Sequence, residues 1–169
     1  MRLFIAINFD DGVKDKIQEV QSEMKKISKG NYSKRDNLHL TLAFLGEIEE
    51  ARLKDIKDAM NKISVPKMNL TFSEVGCFKR DQELWWIGLK HNENLSKLQS
   101  QLSDELMKKG FKLEKRKFIP HITIARQTRM GRAFEGFSLN EFDANVSTVD
   151  LMLSSRIDGK LVYTKLYSV

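Results

Sequence analysis

An α+β fold is predicted here, with two pseudo-symmetric lobes of mainly antiparallel sheet, helices packed outside and a central cleft. Three observations predict it. Helix-period segments alternate with short apolar runs early in the chain, strand-like runs crowd its end, and one strand phrase occurs twice. No Gly/Ser-rich stretch divides the 169 residues, so residues 1–169 are expected to form a single domain of two intertwined lobes.

The elements follow in order. "LFIAI" (3–7) is a compact apolar strand. Val13, Ile17, Val20, Met24 and Ile27 recur at steps of four and three, which predicts an amphipathic helix from Asp11 to about Lys29. Residues 38–45 read as a strand. Leu53, Ile56, Met60 and Ile63 mark a second helix, which must end before Pro66 because proline disfavours helical geometry in the residue preceding it. "MNLTF" (68–72) and "ELWWIGL" (83–89) are strands. Leu95, Leu98, Leu102 and Leu106 mark a third helix, stopped by Gly110. "FIPHITIA" is a further strand, and "VDLMLSS" (149–155) and "KLVYTKLYS" (160–168) close the chain around the turn "RIDG".

Composition narrows the function classes. Hydrophobic residues make up 41% and charged residues 31%, which fits a globular chain and argues against disorder. No apolar run approaches the roughly 20 residues that span a bilayer, so no membrane partner is expected. "MRLFIAINFDDG" turns acidic too soon for a secretory signal, and a cytoplasmic address is expected. The one cysteine, Cys77, excludes an internal disulfide and a zinc-type cluster. A net charge of +6 favours anionic partners, nucleic acid first among them.

The repeated phrase carries the chemistry. Two of only three histidines open it, in "NLHLTLAFLGE" (37–47) and "IPHITIARQT" (119–128). Side chains alternate between the faces of a strand, so His39, Thr41 and Ala43 are expected on one face and Leu38, Leu40, Leu42 and Phe44 on the other. His121, Thr123 and Ala125 repeat the pattern against Ile122 and Ile124. The aliphatic face is core. Alanine is expected to keep the polar face open, and each lobe to bring one His-x-Thr strand to a shared cleft. Imidazole titrates near neutrality, so one ring takes a proton while the other gives one. Threonine hydroxyls donate to anionic oxygens. A phosphodiester substrate meets these demands, and proton transfer alone calls for no metal and no cofactor.

Together these phrases resemble the signature of the 2H phosphoesterase superfamily, and specifically of the bacterial and archaeal RNA 2′,3′-cyclic phosphodiesterases once named 2′-5′ RNA ligases. The likeness extends to "MRLFIAI", "GCF…LWWIGL", "GFKLEKRKFIPHITIAR" and "LMLSSRIDGKLVYTKL", nearly end to end. It implies metal-independent hydrolysis of a terminal ribose 2′,3′-cyclic phosphate to a 2′-phosphate, on RNA ends or nucleotides, by a monomer. It also implies His39 as proton donor, His121 as proton acceptor and Thr41 and Thr123 beside them; the residues themselves do not order the pair. Two other readings are carried: joining or cleaving 2′-5′ linkages, and a non-catalytic RNA-end or nucleotide binder.

The resemblance further implies that Phe44 and Arg126 contact the substrate's base and phosphate. Each lies five residues after its histidine, so a regular strand turns both away, and they reach the cleft only where the strand bulges, twists or ends. Relatives carry a Pro-Arg pair before the middle tryptophan; here "KRDQELWW" stands instead, with Lys79 or Arg80 as substitutes. The basic clusters "SKRDN" and "EKRK" either grip phosphates or are solvated loops. His91 lacks the threonine and reads as structural or exposed. Trp85 and Trp86 must face opposite ways, one to the core and one available for stacking. Cys77 reads as a small buried hydrophobe.

Overall fold

The computed structural model describes residues 1–79, 83–128 and 137–169. Its frame is a nine-stranded sheet formed by β1 (Arg2–Asn8), β2 (Asn31–Tyr32), β3 (His39–Glu47), β4 (Met68–Lys79), β5 (Glu83–Leu89), β6 (His121–Arg126), β7 (Phe142–Val146), β8 (Asp150–Ile157) and β9 (Lys160–Ser168). The order across it is β7-β4-β5-β6-β3-β1-β8-β9, with β2 added to β6, and every pairing is antiparallel. This order is symmetric about its middle: β3 answers β6, β1 answers β5, β8 answers β4 and β9 answers β7. The two halves meet at one rung, Leu40 with Ile122.

The helices follow their apolar stripes. In α1 (Asp11–Ile27), Val13, Ile17, Val20 and Met24 are buried, and Asp10 caps the first turn by accepting from the Val13 amide at 2.9 Å. In α3 (Glu93–Lys108), Leu95, Leu98, Leu102 and Leu106 are buried, and Asn92 caps the Leu95 amide. Gly110, at φ 82°, ends α3 as expected and lets the Phe111 amide reach back to the Leu106 carbonyl. The β8–β9 turn centres on Asp158 and Gly159, both at positive φ, which suits a two-residue hairpin.

Some boundaries differ from the sequence reading. The second helix, α2 (Leu53–Met60), stops short of Ile63, although Ile63 still packs into the core. β4 continues to Lys79, because pairing with β5 carries it past Phe72. β2 is only two residues long. β7 is short, and Phe142, Ala144 and Val146 turn inward from it against β4 at the sheet's edge.

Both central strands carry an extra residue in the same place, and β3 carries a second further on, where Leu45 is left over. Along β1 and β3 the register steps from Ala6–Thr41 to Ile5–Ala43, leaving Leu42 over. Along β5 and β6 it steps from Trp86–Thr123 to Trp85–Ala125, leaving Ile124 over. The bulges at Leu42 and Ile124 are each held by a glutamine from a helix. Gln99 of α3 donates to the Leu42 carbonyl at 3.3 Å; Gln21 of α1, only 2% exposed, donates to the carbonyls of Ile124 and Ser33, each at 2.9 Å. The pinning is crosswise, since α1 follows β1 yet holds β6, and α3 follows β5 yet holds β3.

Replacing Gln21 by Leu leaves buried carbonyls short of donors, and each such loss costs about 1–3 kcal/mol. Urea unfolding of Gln21→Leu should show a stability deficit in that range. An unchanged midpoint would mean the bonds do not hold the bulge.

Candidate active site

The rung between Leu40 and Ile122 fixes what stands beside it. Both side chains are fully buried, so their neighbours His39, Thr41, His121 and Thr123, all partly exposed, share the opposite face. Continuing the antiparallel register by one residue sets His39 across from Thr123 and Thr41 across from His121. Facing Cβ atoms lie about 5 Å apart and diagonal neighbours about 7–8 Å. The two imidazoles therefore sit on one diagonal and the two hydroxyls on the other.

Each ring is held in the same way. Nδ1 of His39 donates to the Asn37 carbonyl at 2.7 Å, and Nδ1 of His121 donates to the Ile119 carbonyl at 2.7 Å. A carbonyl oxygen only accepts, so the proton of each neutral ring sits on Nδ1 and Nε2 carries a lone pair. Thr41 donates its hydroxyl to His39 Nε2 at 3.0 Å. Aromatic walls complete the hold. Phe4 lies 4.8 Å and Tyr163 5.2 Å from the His39 ring, while Phe78 lies 5.1 Å and Trp86 6.2 Å from the His121 ring. Trp86 can lie against the sheet because of Gly76, where a Cβ would stand 2.3 Å from the indole. Trp85 faces the core, as one of the pair had to.

The enclosure sets the proton affinities. Burial pushes the His39 imidazolium down to about pKa 4, against the opposing bond to the Asn37 carbonyl and with the charges of Arg126 and His121 adding to the depression. His121 is lowered too, by burial first and the Arg126 charge as well, against the Ile119 carbonyl. Burial raises Tyr163 against the pull of Arg126 and Arg2.

The bulges answer the odd spacing of Phe44 and Arg126. One extra residue after Thr41 and after Thr123 reverses the alternation, so Phe44 and Arg126 come out exposed on the histidine side. The field of Arg126 at His39, His121 and Tyr163 agrees with that placement. The same reversal corrects the expectation for alanine. Ala43 (7% exposed) and Ala125 (0%) lie in the core beside Leu42 and Ile124 and do not line the cleft.

Other expectations resolve residue by residue. Arg35 of "SKRDN" is tied to Asp11, Asp15 and Gln18 on α1, so it braces a helix instead of gripping a ligand. Arg116 of "EKRK" pairs with Glu114 at 2.8 Å. His91 is exposed between β5 and α3. Cys77 packs partly buried against the core, and burial raises its thiol pKa. Lys79 is exposed at the end of β4, and Arg80 lies outside the described residues. Among the described residues no three His, Cys, Asp or Glu side chains cluster as metal ligands, and no helix is long and apolar enough to cross a membrane. Phe4, Phe78 and Tyr163 went unmarked in the sequence. Phe4 had a signal, since it alternates with the core residues Leu3 and Ile5.

An antiparallel sheet that presents two His-x-Thr strands side by side, each ring with an unprotonated Nε2, defines a two-histidine phosphoesterase. The chain belongs to the LigT-like phosphoesterases of the 2H superfamily: the family model "LigT like Phosphoesterase" matches twice in tandem, over residues 7–86 and 87–163. Similar proteins include the RNA 2′,3′-cyclic phosphodiesterases of Thermotoga maritima (36% identical, covering 75% of this chain and 70% of that one) and Archaeoglobus fulgidus (32%, covering 76% and 74%). The Escherichia coli K12 protein of the same name is 29% identical over 98% of this chain and 93% of its own. The crystal structure of apo E. coli LigT superposes with a TM-score of 0.85 at 27% identity, covering 99% of this chain and 95% of that one. A Thermus thermophilus structure shares the fold at 22% identity with a TM-score of 0.80, over 99% and 96% of the two chains.

Depression of His39 makes stability depend on pH. The unfolded ring titrates near 6.5 and the folded ring near 4, so between those values the unfolded chain binds more protons. Stability is therefore lost as pH falls from 6.5 toward 4, by on the order of 3 kcal/mol from this group. Urea unfolding at pH 7 and pH 4.5 should show a shallower decline for His39→Gln than for the parent. Equal declines would show that His39 is not the depressed group.

Proposed function

We propose that this chain hydrolyses the terminal 2′,3′-cyclic phosphate of RNA, or of a nucleotide, to a 2′-phosphate. One observation carries the reading: two imidazoles with unprotonated Nε2 atoms lie diagonally across the β3–β6 seam, on one open face. The names and coverage of the relatives support the same substrate class.

In this reading His121 Nε2 takes a proton from a water that attacks phosphorus in line with the P–O3′ bond. His39, carrying a proton on Nε2, gives it to O3′ as that bond breaks, and the phosphate stays on O2′. The hydroxyl of the water ends on phosphorus and a proton on O3′ of the same ring-opened product, so atoms and charge balance. Arg126 pairs with the anionic phosphate. Binding of that anion offsets the Arg126 charge that disfavours protonation of both rings, which allows His39 to load its proton. Once His39 Nε2 is protonated, the Thr41 hydroxyl is released from it and donates, with Thr123, to the non-bridging oxygens. Phe44 serves as the platform for the base. Both imidazoles come from one chain, which supports a monomer with residues 1–169 working as one unit, and we take free RNA ends in the cytoplasm as its substrates. The steps are proton transfers and require no metal or cofactor.

Incubation with adenosine 2′,3′-cyclic phosphate in EDTA should give 2′-AMP and no 3′-AMP, resolved by chromatography or phosphorus NMR. His39→Ala and His121→Ala should each lower kcat by about 10²–10⁴-fold while staying folded by circular dichroism. Product at the 3′ position, or a variant with most of its rate, would overturn the assignment. Binding of 2′-AMP without any turnover would instead make the chain a nucleotide binder.

A further inference from the structure

Six arginines stand among the described residues, and four are committed to protein acceptors. Arg35 is bound to Asp11 and Asp15, Arg52 to Asp55, Arg116 to Glu114 and Arg156 to the Gly159 carbonyl. The guanidinium groups of Arg2 and Arg126 have no hydrogen bond or ion pair with any described residue. Both belong to the cleft face. Arg126 has its part in the reaction proposed above, and Arg2 has none.

The position of Arg2 is well defined. It opens β1, beside Glu47 on β3 and Ser154 on β8, and Ser154 in turn pairs with Tyr163 on β9. Alternation along β1 puts Arg2 on the face of Phe4 and Ala6, which cluster with Met152 and Tyr163 there. Phe4 touches the His39 ring, and Arg2 stands one strand repeat further, about 7 Å along the strand. Its guanidinium lies over the Phe44 ring at 5.0 Å, a cation–π contact that keeps it over the cleft. Glu47, across from Arg2 on β3, is paired with the Met1 ammonium at 3.5 Å. The charges of Arg2 and Arg126 both act on the Tyr163 hydroxyl, in keeping with their places on the cleft face.

A cyclic phosphate alone brings one negative charge, which Arg126 answers. The end of an RNA strand brings a second, on the 5′ side of its last ribose. We propose that Arg2, held over Phe44, forms a second phosphate subsite for that 5′-phosphate, so that strand ends are preferred over nucleosides bearing only the cyclic group. This rests on the hydrolase reading for the reacting end. A guanidinium offers two parallel N–H donors to a phosphate and keeps its charge at all working pH values, which suits a contact made identically whatever the base.

Adenosine 2′,3′-cyclic phosphate with and without a 5′-phosphate separates the two phosphates kinetically. The parent protein should favour the 5′-phosphorylated form by about tenfold or more in kcat/KM, in line with one charge-assisted contact. In Arg2→Ala that preference should collapse to near unity, and Arg2→Lys should restore part of it. Lack of preference in the parent, or a preference that survives Arg2→Ala, overturns the subsite. Titration with adenosine 2′,5′-bisphosphate and 2′-AMP, by calorimetry, keeps the test independent of turnover. Tighter binding of the bisphosphate that is lost in Arg2→Ala supports the subsite even if neither cyclic compound is hydrolysed, in which case only the hydrolase reading fails. Equal binding of the two ligands by the parent overturns the subsite even where hydrolysis is found.

Discussion

In a regular strand, a side chain five positions after a histidine faces the other way, and Phe44 and Arg126 would be lost to the cleft. The single extra residue at Leu42 and at Ile124 reverses this, and the chemistry of the site depends on it. It also explains why alanine follows each bulge. Two successive residues of the strand turn inward there, and the second, a small one, is buried beside the first. A bulge breaks ladder hydrogen bonds, so it persists only where something else satisfies the backbone. Gln99 and Gln21 do so from the helix side, each reaching across to the half of the sheet that its own helix does not precede. Neither half can form its motif without the other half's helix.

The rings themselves are governed by an ordinary fact about carbonyls. Asn37 and Ile119 offer only acceptors to Nδ1, so each neutral imidazole has its remaining lone pair on Nε2, toward the cleft. Aromatic walls then strip water from the rings and disfavour the charged form. A resting site with two neutral histidines is thus a product of packing, and a bound anion reverses part of that bias.

Much of this was legible in the sequence, for reasons that can be traced. The duplicated His-x-Thr phrase announced two matched strands, since a repeated polar face has no use in packing alone. Helix stripes such as Leu95, Leu98, Leu102 and Leu106 were read correctly because burial and periodicity coincide there. β7 was missed because it is only five residues long, too short for the alternation of Phe142, Ala144 and Val146 with Asp143 and Asn145 to stand out. The bulges could only be posed as a condition, since they are set by register with β1 and β5. Arg35, in a cluster that the sequence left open between a phosphate grip and a solvated loop, is held by Asp11 and Asp15 on α1, a contact between segments some way apart in sequence.

The backbone of the site is nearly symmetric, and its side chains are not. His39 accepts from Thr41 and is enclosed by Phe4 and Tyr163; His121 has no such bond to Thr123 among the described residues and is more open. The depression is accordingly larger at His39. An acid and a base made from the same residue type need that kind of separation. A ring that holds its proton weakly gives it up readily to an alkoxide, and a ring nearer its ordinary affinity takes one from water more willingly. In the reaction proposed above, the uneven walls fit His39 as donor and His121 as acceptor, with the negative charge of the bound phosphate stabilising the protonated His39 that the empty site disfavours.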